Sequence, residues 1–405
     1  MKPTPYAYGL APTSQFYFCG VPFRLDVSSN CSLGCKYCFA VSRGGSRSEA
    51  PHTLSYESLA RRFDRLDTLG WPEGDVRSEM LHHRVPLHFG GLSDPFESEH
   101  AASTTIDVLR LLAQRDYPVL ISTKQARQLL DSRVVNALES LRNVVVQVSL
   151  CSPSDGMARL IEPGVPPTSE RLDEVRQLSA LGIRSTVRLQ PLIPLWLREV
   201  SEDLMPRIGE TGCGHTIVEV LKVPVETRGS RFRAFESAVN WPVRDVYRSW
   251  GATLVGREWL IPASRRWDLL APVRETVRSC GMTYGAGDYG LTHLGDTECC
   301  CGVDRFGPAF EGWMRGNFTS IVRGSLPGPL TIDHVEPNWV PTKSISRFLN
   351  SKGRKQGENT IRTLLRAKWN RPGTANAPDS LLGVTYEGDT DDDGNALYEY
   401  RRVRK

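Results

Sequence analysis

The chain has 405 residues, of which 40% are hydrophobic and 24% charged, and its formal net charge is +4. These values are typical of a soluble globular protein, and the small net charge does not by itself indicate a polyanionic partner. No run of 18 apolar residues occurs, and the start MKPTPYAYGL lacks the pattern of a signal peptide, so we expect a cytoplasmic protein without a membrane span.

Short strand-like runs alternate with segments of helical periodicity in the first half of the chain, which is typical of βα units and a parallel sheet. The predicted strands are 23–27, 85–89, 119–123, 144–150, 183–190 and 216–220, and the predicted helices lie near 56–69, 101–114, 126–141, 170–181 and 197–208. Six units fall short of the eight in a complete TIM barrel. We therefore predict an α/β fold, a partial (β/α)6 TIM-like barrel with a C-terminal extension that contains cysteines and basic residues.

The alternation fades after about residue 225, where Trp, Arg, Pro and Gly become frequent. We place the barrel at residues 1–228, a cysteine-rich extension at 229–320 and a basic C-terminal region at 321–405. The acidic run at 391–393 and the basic end at 401–405 are predicted to form a mobile tail.

A loop with three cysteines directly follows the first predicted strand. Cys31, Cys35 and Cys38 have the spacing C-x3-C-x2-C, and Gly34 lets the backbone bend between them. Thiolates are the usual ligands of iron–sulfur clusters, so this loop can hold three corners of a 4Fe-4S cubane and leave the fourth iron open. Three core cysteines or a partial zinc site are the less favoured alternatives, because zinc usually takes four ligands and no histidine lies nearby.

An open iron can bind the amino and carboxylate groups of S-adenosylmethionine. One electron then cleaves the carbon–sulfur bond and yields a 5′-deoxyadenosyl radical, while the protein positions and shields the reactants. The three-cysteine loop therefore predicts both a 4Fe-4S cluster and S-adenosylmethionine as cofactors.

The cysteine motif, with Tyr37 immediately before its last cysteine, resembles the signature of the radical S-adenosylmethionine superfamily. The resemblance extends over about 200 residues and favours the branch of spore photoproduct lyase and DNA repair photolyase-like proteins. It rests on ordered stretches at 28–31, 88–96, 121–124, 148–171 and 182–194.

The resemblance implies a set of cofactor-binding residues around the strand ends. Gly90 and Gly91 are implied to bring backbone close to the methionine amino group, and Ser93 and Asp94 to form hydrogen bonds in the same loop. Lys124 is implied as the cation for the methionine carboxylate, and Ser149 as the hydroxyl for the ribose. Tyr37, in the cysteine loop, belongs to the same set. Turn glycines, a helix cap, a solvated lysine and a strand serine are the structural alternatives.

The sequence departs from the branch at one position. The branch has Cys-x-Ser-Asp-Pro after its second strand, and that cysteine returns a hydrogen atom to the product radical. This chain has Gly91 in place of the cysteine, so the resemblance does not extend to repair of spore photoproduct by that route. Cys151 is another candidate hydrogen donor, although a small core cysteine is the favoured interpretation.

A second group of cysteines lies in the predicted extension. It can hold a second iron–sulfur cluster or a zinc ion. Because three successive residues rarely all point inward, we expect two of the three adjacent thiols to join the isolated one, and the alternative is a cysteine-rich structural turn. The candidate ligands are Cys280, Cys299, Cys300 and Cys301, with His293 as a further possibility.

The segment from Lys343 to Arg371 contains nine Lys or Arg and one acid, Glu358. Phe348 and Trp369 lie among these cations, a mixture suited to phosphate contacts and base stacking. A solvated face of an amphipathic helix is the alternative.

Together these features predict a radical S-adenosylmethionine enzyme, similar to spore photoproduct lyase, that abstracts hydrogen from a nucleic-acid substrate in repair or modification of a DNA pyrimidine. Its partners are then nucleic acid, with DNA favoured, and an electron donor such as flavodoxin or ferredoxin. The alternatives are radical modification of a peptide or small metabolite, and a non-catalytic iron–sulfur protein that binds DNA or senses redox state.

Overall fold

The computed structural model describes residues 9–13, 19–41, 52–70, 75–225, 230–324, 328–337, 339–340, 361–374 and 377–400. Most of the predicted basic segment, up to residue 360, lies outside these residues, as does the basic end at 401–405. None of the described helices combines the length and the apolar content that crossing a bilayer requires.

The strands are short, and half of them lie in the first 220 residues. They are β1 Leu10–Pro12, β2 Phe23–Leu25, β3 Leu87–Phe89, β4 Val119–Thr123, β5 Val144–Leu150, β6 Ser185–Leu192, β7 His215–Val220, β8 Val223–Pro224, β9 Thr253–Val255, β10 Glu258–Leu260, β11 Thr283–Ala286, β12 Pro329–Leu330, β13 Val384–Thr390 and β14 Ala396–Tyr400.

Helices alternate with the strands of the barrel and continue into the extension. They are α1 Tyr56–Leu69, α2 Val76–His82, α3 Glu99–Ala113, α4 Ala126–Leu129, α5 Ser132–Glu139, α6 Asp155–Ile161, α7 Thr168–Ala180, α8 Leu197–Glu199, α9 Met205–Gly209, α10 Ser230–Val239, α11 Val243–Ser249, α12 Ala263–Ser279, α13 Pro308–Met314, α14 Phe318–Gly324, α15 Ile332–Val335, α16 Ile361–Trp369 and α17 Pro378–Leu381. Short 3-10 helices lie at Phe39–Val41, Pro194–Trp196, Thr292–Leu294 and Val303–Arg305, and a π-helical turn at Val200–Leu204.

The core is an eight-stranded sheet in the order β1-β2-β3-β4-β5-β6-β7-β11. The strands from β2 to β7, and β11 beside β7, pair in parallel, whereas β1 is an antiparallel edge strand. Every residue of β5 and β7 is buried, as expected for parallel strands covered on both faces. The partial (β/α)6 TIM-like barrel predicted from the sequence is thus confirmed.

The six predicted strands correspond to β2 through β7, but the sheet extends beyond them. The eighth strand, β11, comes from residues assigned to the extension, so the predicted boundary at residue 228 divides the sheet. Its four residues, Thr-Tyr-Gly-Ala, are too few to show a periodic pattern. The remaining strands form two small sheets, β8-β10-β9 and β12-β14-β13.

Side-chain caps start several helices of the barrel where the sequence places a serine. Ser55, Ser98 and Ser154 precede α1, α3 and α6, and each hydroxyl accepts a hydrogen bond from a backbone N–H in the first turn. Such a cap satisfies a donor that the helix leaves unpaired, which fixes where each helix begins.

The C-terminal part differs from the prediction in two respects. The acidic run 391–393 is the turn between β13 and β14 rather than part of a mobile tail, because the Asp391 carboxylate accepts from the backbone N–H of Asn395 at 2.7 Å and of Asp393 at 3.1 Å. Trp369, predicted to stack on bases, is completely buried, and its Nε1 donates to the Ala396 carbonyl at 2.7 Å. Helix α16 is therefore an amphipathic helix that docks its apolar face on the hairpin.

Polar side chains share the inner face of the barrel. Directly paired residues of parallel strands point to the same side of a sheet, and Ser122 is paired with Gln147, as Ser149 is with Arg188. His88 Nε2 lies 2.7 Å from Ser122 Oγ, which donates to Gln147 at 2.9 Å. The inner face of the sheet thus carries a hydrogen-bonded group of polar side chains.

We predict that Gly285→Ala destabilises the protein by about 1–3 kcal/mol, the usual effect of overpacking. A Cβ at this position in β11 would overlap the Cys300 carbonyl oxygen and lie 2.8 Å from His215 Nε2. The free energy of unfolding, measured by urea denaturation, tests this.

Gly312→Ala is the matched control, because this exposed position in α13 has open space around a Cβ. In a helix the change to alanine is favourable by up to about 1 kcal/mol. Equal effects of the two substitutions would contradict the described contact between β11 and the cysteine-rich turn.

Candidate functional site

The three-cysteine loop leaves the barrel at the carboxyl end of β2. Cys35 is buried, Cys31 and Cys38 are half-buried, and all three thiols are free. Position 34 in the loop has φ +68°, a left-handed conformation that glycine adopts without strain. The loop therefore presents three unpaired sulfur atoms at the edge of the sheet where functional groups of α/β barrels collect.

The segment after α6 fixes the backbone of this loop. The Lys36 N–H donates to the Ile161 carbonyl at 2.9 Å, and the Gly164 N–H donates to the Leu33 carbonyl at 3.1 Å. A Cβ at Gly164 would lie only 2.8 Å from the Leu33 oxygen, so glycine permits this approach. Residues 161–164 thus hold the cysteine loop from both sides.

The chemistry of the donor set fits a cubane. Thiolates are the usual ligands of iron–sulfur clusters, and in a cubane each of the three would bind a different iron. Cys38 lies within electrostatic range of both Cys31 and Cys35, and the three free thiols therefore fit three corners of a 4Fe-4S cluster.

A buried ion-pair network lies beside the loop, centred on Glu162. The carboxylate accepts from Lys124 Nζ at 2.8 Å and from Arg171 Nη2 at 2.7 Å, and also from the Tyr37 hydroxyl. Lys124 Nζ in turn donates to the Tyr37 oxygen at 2.9 Å. The side chains of Glu162 and Arg171 have no exposed surface, so the network is shielded from solvent.

Burial and charge act in opposite directions on Glu162. Burial raises its pKa, but Arg171 and then Lys124 outweigh burial and hold the pKa well below the ordinary range. Burial lowers the pKa of Lys124, and Glu162 outweighs that effect, so the pKa of the amine lies above its usual value. The glutamate is therefore anionic and the lysine cationic.

Cys151 joins the same network, although the sequence favoured a simple core cysteine. Its Sγ lies 3.1 Å from the Tyr37 oxygen. Because the Tyr37 hydroxyl donates its hydrogen bond to Glu162, the thiol is the donor in its contact with Tyr37. Burial, followed by Glu162, raises the pKa of Cys151 to about 12, so it carries its proton. The thiol is completely buried.

Ser93 and Asp94 are engaged in bonds within the protein. The Asp94 carboxylate accepts from Thr123 Oγ1 at 2.8 Å and from the Lys124 N–H at 2.7 Å, and Ser93 Oγ donates to the Ser28 carbonyl at 2.6 Å. These bonds join the loop after β3 to its two neighbours. Both side chains thus brace the rim of the barrel.

The two glycines of the loop after β3 lie where a larger side chain would not fit. Gly90 has φ +85°, and a Cβ there would overlap the Ser122 carbonyl oxygen, while a Cβ at Gly91 would overlap the Arg24 side chain. Ser149 lies near the end of β5 on the inner face, and its carbonyl accepts from Arg171 Nη1 at 2.7 Å. The structure therefore brings the residues implied by the resemblance to one rim of the barrel.

Glu162 and Arg171 were not assigned a role from the sequence. Both lie in the 148–171 stretch that carries the resemblance. A charged pair nine residues apart has no helical or strand periodicity, so only the fold shows that both point into the same buried space. The resemblance of residues 148–171 was the sequence signal that could have pointed to these two residues.

The second group of cysteines lies near a thiol that the sequence did not single out. Cys300 and Cys301 have their sulfur atoms 3.9 Å apart, and Cys19 interacts electrostatically with Cys300 and Cys299. Cys280 follows α12 and packs beside Gly209. Sequence spacing gave no reason to choose Cys19, and a role of these cysteines as ligands stays a prediction.

The ring of His293 packs against the residue that precedes β13. A Cβ at Gly383 would overlap this ring, and the Nδ1 atom of His293 is buried without a hydrogen-bond partner. Since no three ligand side chains in the described part of the chain converge on one point, a preformed zinc site is not among the observed features.

No family model and no curated protein matches the sequence. Among solved structures, spore photoproduct lyase complexed with dinucleoside spore photoproduct is 15% identical over 65% of this chain and 76% of that chain, with a TM-score of 0.49. A variant of the lyase with bound AdoMet and the same dinucleoside has the same values. SuiB from Streptococcus suis, bound to S-adenosylmethionine, is 14% identical over 55% of this chain and 48% of that chain, with a TM-score of 0.36.

We predict that Glu162→Gln destabilises the apoprotein by about 3–5 kcal/mol, because it leaves two buried cations without their counter-charge. Lys124 and Arg171 would each lose the carboxylate that now lies within 2.8 Å. Urea denaturation at neutral pH measures the loss. Glu210→Gln, on the surface, is the control and should change stability by no more than about 0.5 kcal/mol.

The acid limb of the stability curve gives a second readout of the same variant. The pKa of Glu162 is lower in the folded than in the unfolded protein, so its contribution is present above the unfolded value of about 4.3 and is lost as pH falls below it. Stability of Glu162→Gln should therefore fall less steeply below that pH. Parallel curves for the two proteins would contradict a buried, ionised Glu162.

Proposed function

We propose that the chain is a radical S-adenosylmethionine enzyme that holds a 4Fe-4S cluster on Cys31, Cys35 and Cys38. The observation that carries the proposal is the set of three free thiols on one loop, fixed by residues 161–164 at the carboxyl end of β2. Such a cluster supplies one electron for reductive cleavage of S-adenosylmethionine, which gives a 5′-deoxyadenosyl radical.

The loop after β3 is proposed to face the cofactor through its backbone. Because the side chains of Ser93 and Asp94 are bound to neighbouring strands and loops, their role is to fix this loop, and the peptide groups of Gly90 and Gly91 contact the methionine amino group. Ser149, on the inner face, is proposed to meet the ribose. Within the loop after β3, contact is thus assigned to the backbone and positioning to the side chains.

Tyr37, within the cysteine loop, and Lys124, after β4, are proposed to hold that loop in place. Tyr37 donates to Glu162 and accepts from Lys124, so its hydroxyl is fixed by two hydrogen bonds. Burial raises the pKa of Tyr37 well above its usual value, so the phenol keeps its proton. These residues hold the loop in one conformation and exclude water from its inner side.

The substrate we propose is a nucleic acid, with repair or modification of a DNA pyrimidine as the reaction. The resemblance to the photoproduct lyase branch and the basic composition of residues 343–371 support this choice. The cations expected to contact phosphate are those at 343–355, because Arg366 is paired with Glu336 and with Asp333, the latter at 3.0 Å. A small electron-transfer protein, flavodoxin or ferredoxin, is the proposed electron donor.

We predict that anaerobic reconstitution loads about four irons and four sulfides per chain, as one cubane requires. Alanine at Cys31, Cys35 and Cys38 should abolish both the cluster and the reductive formation of 5′-deoxyadenosine. Iron and sulfide analysis, and chromatography of the nucleoside after dithionite reduction, measure these.

Cys213→Ala is the matched control, because this buried thiol donates to the His215 carbonyl and lies outside both cysteine groups. The Cys213→Ala protein should still load the cluster and form 5′-deoxyadenosine. Formation of 5′-deoxyadenosine by the triple alanine variant would refute the proposed role of the loop.

For DNA, we predict salt-dependent binding that weakens when Lys352, Arg354 and Lys355 are changed to Gln. Three lost phosphate contacts should reduce the slope of log affinity against log salt by about 2–3. Fluorescence anisotropy with labelled DNA at several salt concentrations measures the slope.

The control neutralises three exposed arginines on α1 and α3, at positions 61, 65 and 110. These lie on the outer helices and should leave the slope unchanged. Equal effects of both triple variants would show non-specific attraction, and no salt-dependent binding at all would favour a peptide or metabolite substrate.

A further inference from the structure

The network beside the cysteine loop places a fixed cation and a fixed anion next to one predicted iron ligand. Lys124 and Glu162 both lie within electrostatic range of Cys35. Neither is free to move, because Lys124 Nζ is held at 2.8 Å by Glu162 and at 2.9 Å by the Tyr37 hydroxyl. The charges are thus part of the rigid rim rather than of a mobile side chain.

The cation is attached to the loop itself. Tyr37 lies between Cys35 and Cys38, and Lys124 Nζ is 5.4 Å from the centroid of its ring. Only 16% of the Lys124 side chain is exposed and none of Glu162, so solvent and salt screen these charges weakly. A charge in this position acts on any group that the loop binds.

The net charge of the network is positive. Arg171 contributes a second cation, bound to Glu162 at 2.7 Å and to the Ser149 carbonyl at 2.7 Å. Within these side chains two cations thus accompany one carboxylate. A second buried carboxylate, Asp94, accepts from the Lys124 N–H at 2.7 Å and interacts with Cys31, so each charge acts on the loop from its own fixed position.

We propose that Lys124 and Glu162 set the reduction potential of the cluster on the cysteine loop, in opposite directions. Reduction adds one electron, taken from an external donor, and increases the negative charge of the cluster by one. A fixed cation stabilises that state and raises the potential, whereas a fixed anion lowers it. The inference rests on the proposed function, since it requires the cluster to be present.

Lys124 is in this account a positioning residue. It holds Tyr37 and a positive charge, and it does not touch the reacting atoms. The methionine carboxylate implied as its partner by sequence resemblance would have to compete with Glu162 for the same amine. A direct measurement of potential without S-adenosylmethionine separates the two roles.

The test is a redox titration of the reconstituted protein, followed by electron paramagnetic resonance of the reduced cluster, without S-adenosylmethionine. Lys124→Met should shift the potential to a more negative value, and Glu162→Gln to a more positive one. Lys124→Arg, which keeps the charge, should remain close to the wild type. Opposite shifts from two partners of one ion pair are not expected from loosened packing alone.

Lys222→Met is the matched control, because this lysine follows β7 and is paired with Glu219 rather than with the cysteine loop. The reduction potential of the cluster in the Lys222→Met protein should equal that in the wild type. If Glu162→Gln does not fold or load, the comparison of Met, Arg and wild type at position 124 decides.

Two results would overturn the inference while leaving the proposed function intact. One is a fully loaded Lys124→Met protein with the wild-type potential, and the other is a shift in the same direction for Lys124→Met and Glu162→Gln. Absence of any cluster in the wild-type protein would instead overturn the proposed function, and the inference with it.

Discussion

A single buried carboxylate, Glu162, organises the candidate site. It compensates two cations, Lys124 and Arg171, and accepts a hydrogen bond from the Tyr37 hydroxyl, so one group joins the cysteine loop to β4, β5 and α7. A buried charge without such partners is costly, which means that each member of the network requires the others. The position of the cysteine loop therefore depends on this network as much as on its own turns.

The network also fixes the electrical environment of the loop. Its ionised groups are charged in the neutral range, because the pKa of Glu162 is depressed and that of Lys124 is raised. Burial keeps the protons of Tyr37 and Cys151 in place, whereas the charges of Glu162 and Lys124 persist because each has an oppositely charged partner. The one-electron chemistry proposed for this site would gain from such constancy, since the charge near the electron acceptor would not vary with pH.

Local sequence patterns were enough to predict the barrel and the cysteine loop. All six predicted strands occur, because continuous apolar runs in a parallel sheet are recognisable without tertiary context. The pairing of Glu162 with Arg171 was not predictable in this way, since it depends on how the end of α6 packs against α7. Trp369 was misjudged for a related reason: its cationic neighbours suggested a surface, but an apolar stripe on the same helix buries it beneath the β13–β14 hairpin.

The proposed function requires that a cluster held by Cys31, Cys35 and Cys38 would leave one iron open to S-adenosylmethionine. Electron nuclear double resonance of the reduced protein, with S-adenosylmethionine labelled with 15N at the amino group or 17O at the carboxylate, tests this directly. We expect hyperfine coupling from both labels, as for a methionine moiety bound to that iron. Tight binding of S-adenosylmethionine with no coupling from either label would contradict the account.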